Sequence, residues 1–236
     1  MVEHASVPGS VEWWHARHTA TVRRRPRPDG LTLERIMEVA LDVLRHEGLD
    51  ALTMRRIAAA LGTSHTSLYR HVASREELLV ELVDHILGDV RIDPTVTGWR
   101  AQAEANARSL RRTLLAHPAL VPLMTASQLL GPNALRSREL GLRILVDAGA
   151  DPALAVHGYL VVARFVIGSA MLDTGGAART PGARKAMTRL FRALPAEEFP
   201  TIRALASTLN DEDSDAEFER GLTTILDGIA ASLTTP

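Results

Sequence analysis

The sequence predicts an all-α fold, and three observations carry that expectation. Apolar residues recur at intervals of three and four through most of the chain. No stretch combines β-branched enrichment with period-two alternation bounded by turns, so no strand is expected. Glycine, proline or polar turns separate helix-like stretches at 32–48, 53–61, 64–72, 74–90, 98–117, 132–148, 152–173, 182–194 and 215–233. With 236 residues, 46% of them hydrophobic, the chain buries a sizeable core. The expected organisation is an N-terminal arm (1–30), a three-helix head containing a helix-turn-helix (31–78) and a helical-bundle domain (79–236).

In the first of these elements Ile36, Val39, Ala40, Val43 and Leu44 share one face, and Gly48 stops the run. Thr53 caps the next segment, whose Ile57, Ala58 and Leu61 form a short apolar stripe before Gly62 permits a tight turn. Ser64 caps a third short helix that turns Leu68 and Val72 inward and leaves His65, Thr66, Ser67, Tyr69, Arg70 and His71 on the other faces. Ser74 with Glu77 reads as a capping box, followed by an apolar helix from Leu78 to Val90. Pro94 ends that unit.

Composition removes several function classes. The sequence contains no cysteine, which rules out disulfides, thiolate zinc sites and cysteine nucleophiles and agrees with a reducing cytoplasm. The N-terminus lacks the basic stretch and apolar run of a secretory signal, so export is not expected. The apolar stretch 153–172 resembles a membrane span, but Arg164 near its middle would cost roughly 2.5–3.5 kcal/mol in lipid; it is read as a buried helix, with no membrane partner. No glycine phosphate loop, nucleophile elbow or metal-ligand cluster is present, which argues against an enzyme. No cofactor is expected.

Net charge is only −1, yet its distribution is uneven. Eleven arginines lie between Arg17 and Arg75, whereas nine acids lie from residue 196 to the end. The first region suits a polyanion. Residues 1–30 lack sustained periodicity and are read as a mobile arm, whose Arg23-Arg24-Arg25-Pro26-Arg27 cluster suits either a minor groove or solvent. Trp13 and Trp14 are unexpected in such an arm and are read as docking on the body. His15 and His18 have metal-like spacing, but two ligands make weak evidence.

Two short helices joined by a glycine turn, the second capped and polar outside, have the shape that a DNA major groove admits. Base reading would fall on His65, Thr66, Ser67 and Arg70, with Arg70 the strongest candidate for a bidentate guanine contact. Ser64, Thr66 and Ser67 are small enough to let backbone and hydroxyls approach the duplex. Arg55 suits a phosphate, and Tyr69 and His71 suit either phosphates or packing against the first helix. Arg75 starts the next helix, where a cation opposes the dipole, so a phosphate partner is expected for it as well.

The ordered set Leu31-Thr32, the 36–44 run, Gly48-Leu49, Leu52-Thr53-Met54-Arg55-Arg56-Ile57-Ala58, Leu61-Gly62, Ser67-Leu68-Tyr69-Arg70-His71-Val72 and 75–79 resembles the tetracycline-repressor (TetR) regulators across residues 31–90. The resemblance implies DNA contacts at Arg55, His65, Thr66, Ser67, Tyr69, Arg70, His71 and Arg75. Farther on, Leu114-Leu115-Ala116-His117-Pro118, the 168–173 segment, Phe218-Glu219-Arg220-Gly221-Leu222 and the 225–229 segment look like the tetracycline-repressor branch itself. This implies a drug- or metabolite-responsive domain and a transcriptional regulator, by family default a repressor, without naming the ligand or the operator. A regulator controlled by a protein partner or by abundance is the alternative.

Residues alone point the same way. The 152–173 stretch is apolar nearly all round and needs a second apolar partner, which the last helix offers at Phe218, Leu222, Ile225, Ile229 and Leu233. Pairing both across a two-fold axis predicts a homodimer with Leu160, Phe165, Phe218, Leu222, Ile225 and Ile229 at its interface. Polar groups on apolar faces suggest either a small-molecule site or satisfaction by neighbouring backbone: Asn106, Thr113 and His117 on one helix, and His157 and Arg164, seven residues apart, on another; Met124 and Gln128, in the segment after Pro118, are read as pocket wall and gate, with core packing the alternative for Met124. For Arg164 the alternative is an ion pair with Asp147 or Asp173.

Overall fold

A computed structural model describes residues 7–21, 31–125, 128–174, 180–210 and 213–234. Among them there are helices and turns and no strand. The element order is α1 (Val11–Thr21), α2 (Leu33–Glu47), α3 (Met54–Ala60), α4 (His65–Tyr69), α5 (Arg75–Leu87), α6 (Trp99–Ala116), α7 (Pro132–Asp147), α8 (Pro152–Thr174), α9 (Pro181–Ala193), α10 (Pro200–Leu205) and α11 (Ser214–Leu233).

Local chemistry sets the helices of the head. The hydroxyls of Thr32, Thr53, Ser64 and Ser74 each accept from the backbone N–H three residues on, capping α2, α3, α4 and α5. The Glu77 carboxylate accepts from Ala73 N–H at 2.9 Å, one residue before the cap, so the box is shifted from its usual partner. Gly62, at φ 63°, makes the turn between α3 and α4. Ile36, Met37 and Ala40 of α2, Ile57 of α3, Leu68 of α4 and Val72 just after it close the core of the head.

That core does not stop at the head. It continues unbroken through Leu78, Leu82 and Ile86 of α5 into α6, α7, α8 and α11. Helix α5 packs on α2 at one side and on α6, α7 and the 3-10 segment Pro118–Thr125 at the other. The boundary expected near residue 78 thus falls inside a helix that both halves share.

Residues 7–21 are not a mobile arm. Ser10 caps α1 through its hydroxyl to Trp13 N–H, and Trp13 and Trp14 are buried against the body. Trp14 Nε1 donates to the Gln128 carbonyl at 3.2 Å, and His18 Nε2 lies 2.9 Å from the Leu130 carbonyl. Arg17 pairs with Glu77 and Glu81 of α5. Two adjacent tryptophans, rather than a periodic stripe, hold this helix, so apolar spacing did not reveal it. The Arg23–Arg27 cluster lies outside the described residues.

Helix α8 also differs from expectation. It buries Ala155, Gly158, Val166 and Ala170 against α6, α7 and α11, while Val156 is 49% and Leu172 76% exposed. By length and composition it could cross a membrane; in this fold its inner face is core. Phe165 stacks on Phe218 at 5.4 Å within the chain, and Phe218, Leu222 and Ile229 are 5% exposed or less. These residues, expected at a dimer interface, join α8 to α11 in one molecule: spacing identified an apolar face but not which partner covers it. Leu160 and Ile225 remain half-exposed. Of the two acids expected for Arg164, Asp173 pairs with Arg111 at 2.7 Å, which in turn meets Asp215 and lies over the Phe218 ring.

Trp14→Ala removes the largest anchor of α1, at a cost of roughly 3 kcal/mol. Trypsin is expected to cut after Arg17 much faster in the variant than in the wild type, while the melting transition of the remaining helices persists. Equal cleavage rates would show that α1 does not depend on Trp14.

Candidate nucleic-acid interface and effector pocket

Helix α4 presents a polar surface because its one buried side chain, Leu68, turns inward. Ser64, His65, Thr66, Tyr69 and Arg70 are exposed, and Ser67 and His71 half-buried. Arg70 Nη2 donates to Ser67 Oγ at 3.2 Å, which holds the guanidinium along the helix, and the His65 and Tyr69 rings lie 6.4 Å apart. Arg55, exposed on α3, has no carboxylate partner among the described residues, whereas its neighbour Arg56 grips Glu47 through Nε and Nη2. Arg55 is therefore available to an outside anion and Arg56 is structural.

Arg75 is placed differently from the expectation. Its Nε donates to the Leu52 carbonyl at 2.8 Å and its Nη2 to the Leu49 carbonyl at 3.1 Å. The tight 3-10 turn Leu49–Ala51 directs carbonyls toward α5, and the arginine takes them, tying the α2–α3 connection to α5. The cation at this helix start is thus explained within the chain.

A cavity open at one side lies between α6, α7 and α8, and Leu87 of α5 and Leu226 and Ile229 of α11 also line it. Of the residues expected there, Asn106 and Met124 line it. Thr113 is buried outside the lining. His117 sits at the end of α6 near Asp89, Arg45 and His85, where burial lowers its pKa from the ordinary value. Gln128 lines a small depression beside Trp14 instead. His157 and Arg164 are exposed, away from the cavity; their seven-residue spacing marked the outer face of α8. The reading missed Ser137, Arg138 and Tyr159, because an arginine on an amphipathic helix looks like a solvated residue.

Known proteins agree with this arrangement. Residues 36–82 match the family model described as bacterial regulatory proteins, tetR family, and residues 93–233 match the tetracyclin repressor-like C-terminal domain. The chain belongs to the TetR family. The HTH-type transcriptional repressor DrrR1 of Streptomyces coeruleorubidus is 34% identical over 217 residues, covering 87% of this chain and 79% of that protein. The tetracycline repressor of class A from transposon 1721 in Escherichia coli is 28% identical, covering 83% and 88%. The solved structure of the Streptomyces coelicolor TetR family protein ActR in complex with actinorhodin is 36% identical, with a TM-score of 0.78, covering 86% of this chain and 97% of that one. This protein is accordingly a DNA-binding transcriptional regulator of the TetR family with a ligand-binding type of body.

In this TetR-family chain three buried acids on α5 join the head to the rest. Glu77 holds Ala73 and Arg17, Glu81 faces Arg17, and Asp84 accepts from Asn133 N–H at 3.2 Å and Ala134 N–H at 2.9 Å, capping α7. Glycine is required at 131, since a Cβ there would strike both the Asp84 carboxylate and the Trp14 ring. Burial pushes the Glu81 carboxyl up to about 7; Arg17 opposes this, while Asp84 and Glu77 add to it. Burial also raises Asp84, against the two backbone N–H groups.

The unfolded chain releases the Glu81 proton near 4.5, whereas the folded chain keeps it to about 7. Stability linked to Glu81 is therefore fully present below the lower value and is lost as pH rises through the higher one. Denaturant midpoints are expected to show the wild type losing about 2 kcal/mol more than Glu81→Gln between pH 5 and pH 8. Parallel pH profiles for the two proteins would contradict the buried, protonated state.

Proposed function

We propose that this chain acts in the cytoplasm as a homodimeric repressor that a small molecule, bound in the α6–α7–α8 cavity, releases from a near-palindromic operator. The observation that carries the proposal is the placement of the cavity. Its wall helix α7 is capped by Asp84 of α5, and the N-terminus of the same α5 closes the helix-turn-helix. A ligand with different affinity for two arrangements of α7 against α5 then changes how the heads are held. The names of DrrR1, a repressor, and of ActR bound to actinorhodin support the same reading.

In this proposal His65, Thr66, Ser67 and Arg70 meet base edges, and Ser64 brings the start of α4 close to the duplex. Arg55, Tyr69 and His71 meet phosphates. Arg75 acts mainly by holding the α2–α3 turn, with at most a secondary phosphate contact. The second copy covers the outer face of α8, where Val156 and Leu172 are open to solvent and Leu160 is half-exposed, and two-fold symmetry places the α4 helices about one DNA turn apart.

The test is binding of the purified protein to DNA from upstream of its own gene at two salt concentrations. Selective, salt-sensitive binding is expected, with Arg70→Ala weakening it roughly 5- to 150-fold while the melting transition is unchanged. Equal binding to unrelated DNA, or full affinity in Arg70→Ala, would contradict these roles.

A further inference from the structure

Among the described residues, the lining of the cavity contains one formal charge, Arg138. It contains no aspartate, glutamate or histidine among the described residues. Arg100, Arg108, Arg111 and Arg143 of the body each meet a carboxylate. Arg138, which lines the cavity, meets none among the described residues. Its contacts are long and neutral, Nε to the Tyr159 hydroxyl at 3.4 Å and Nη2 to the Leu129 carbonyl at 3.5 Å. A half-buried guanidinium beside an apolar cavity favours an anion, because charge-assisted hydrogen bonds strengthen where water is excluded.

On α6, Asn106 carries a buried Oδ1 with no hydrogen-bond partner among the described residues. Unsatisfied buried acceptors are uncommon and costly, so this oxygen calls for a donor. The two groups belong to one polar corner. A Cβ at Gly141, one turn beyond Arg138, would lie 2.8 Å from the Tyr159 ring and 3.8 Å from the Asn106 amide. The rest of the lining, including Leu110, Leu129, Val162 and Ile167, is apolar.

Resting on the reading of this cavity as the effector site, we propose that it selects hydrophobic organic acids that carry a hydroxyl. The anionic oxygen, a carboxylate or ionised phenol, pairs with Arg138; the hydroxyl donates to Asn106 Oδ1; and the apolar body fills the space toward α5 and α11. Cationic ligands are rejected by the unpaired guanidinium, and neutral isosteres lose the charged contact.

The test is calorimetric titration of the full chain with 3-hydroxy-2-naphthoate and with its methyl ester. The acid is expected to bind about tenfold or more tightly than the ester. Arg138→Met removes that preference by weakening the acid while leaving the ester within about twofold, and Asn106→Leu weakens 3-hydroxy-2-naphthoate more than 2-naphthoate, which lacks the hydroxyl. Val162→Trp, with folding checked by circular dichroism, fills the cavity and abolishes binding. Equal affinity for acid and ester, or a preference that survives Arg138→Met, overturns the acid class; if that binding is still lost in Val162→Trp, the cavity stands as the effector site. No binding of either probe, or binding that survives Val162→Trp, overturns both.

Discussion

The burial of three carboxylates along one side of α5 is the constraint on which the other elements depend. Glu77, Glu81 and Asp84 are each 6% exposed or less, and a buried acid is tolerated only where something answers it. Each answer comes from a different part of the chain. The loop before α5 supplies Ala73 N–H, α1 supplies Arg17, and the start of α7 supplies the amides of Asn133 and Ala134. Moving any of these parts leaves an acid without its partner, so α5 holds head, N-terminal helix and cavity wall in one arrangement.

This gives the TetR-family architecture a physical route between its two sites. The cavity does not touch the DNA-reading surface, but its wall helix α7 begins on Asp84 and its lining includes Leu87. The other end of α5 closes the head, where Arg75 ties the α2–α3 turn to the helix start. Helix α1 reinforces the same joint from outside: Trp14 fills the space beside Gly131 and holds the Gln128 carbonyl. A ligand that shifts α7 acts on a packed helix, and packed helices shift as units rather than bending gradually.

What was legible in the sequence was local. Thr53, Ser64 and Ser74 announced their helices because a cap needs only the next three residues, and Leu68 with Val72 fixed which side of α4 faces outward. Contacts between distant parts of the chain were not legible. Arg75 read as a phosphate ligand because its carbonyl partners lie 23 and 26 residues away. Phe218, Leu222 and Ile229 read as interface because an apolar stripe does not say whether another helix or another chain covers it. Arg138 passed unnoticed for the opposite reason: only the fold shows that no acid among the described residues pairs with it, whereas His157 and Arg164 shared a face that turned out to be the outer one.

In the proposed mechanism α5 transmits the state of the cavity wall to the head, and hydrogen exchange in Asp84→Ala tests this directly. Loss of the α7 cap costs about 1–2 kcal/mol locally. If α5 is the shared joint, amides of residues 64–72 in the helix-turn-helix exchange faster in the variant, together with those of residues 131–137. Faster exchange confined to residues 131–137, with the head as protected as in the wild type, would contradict it.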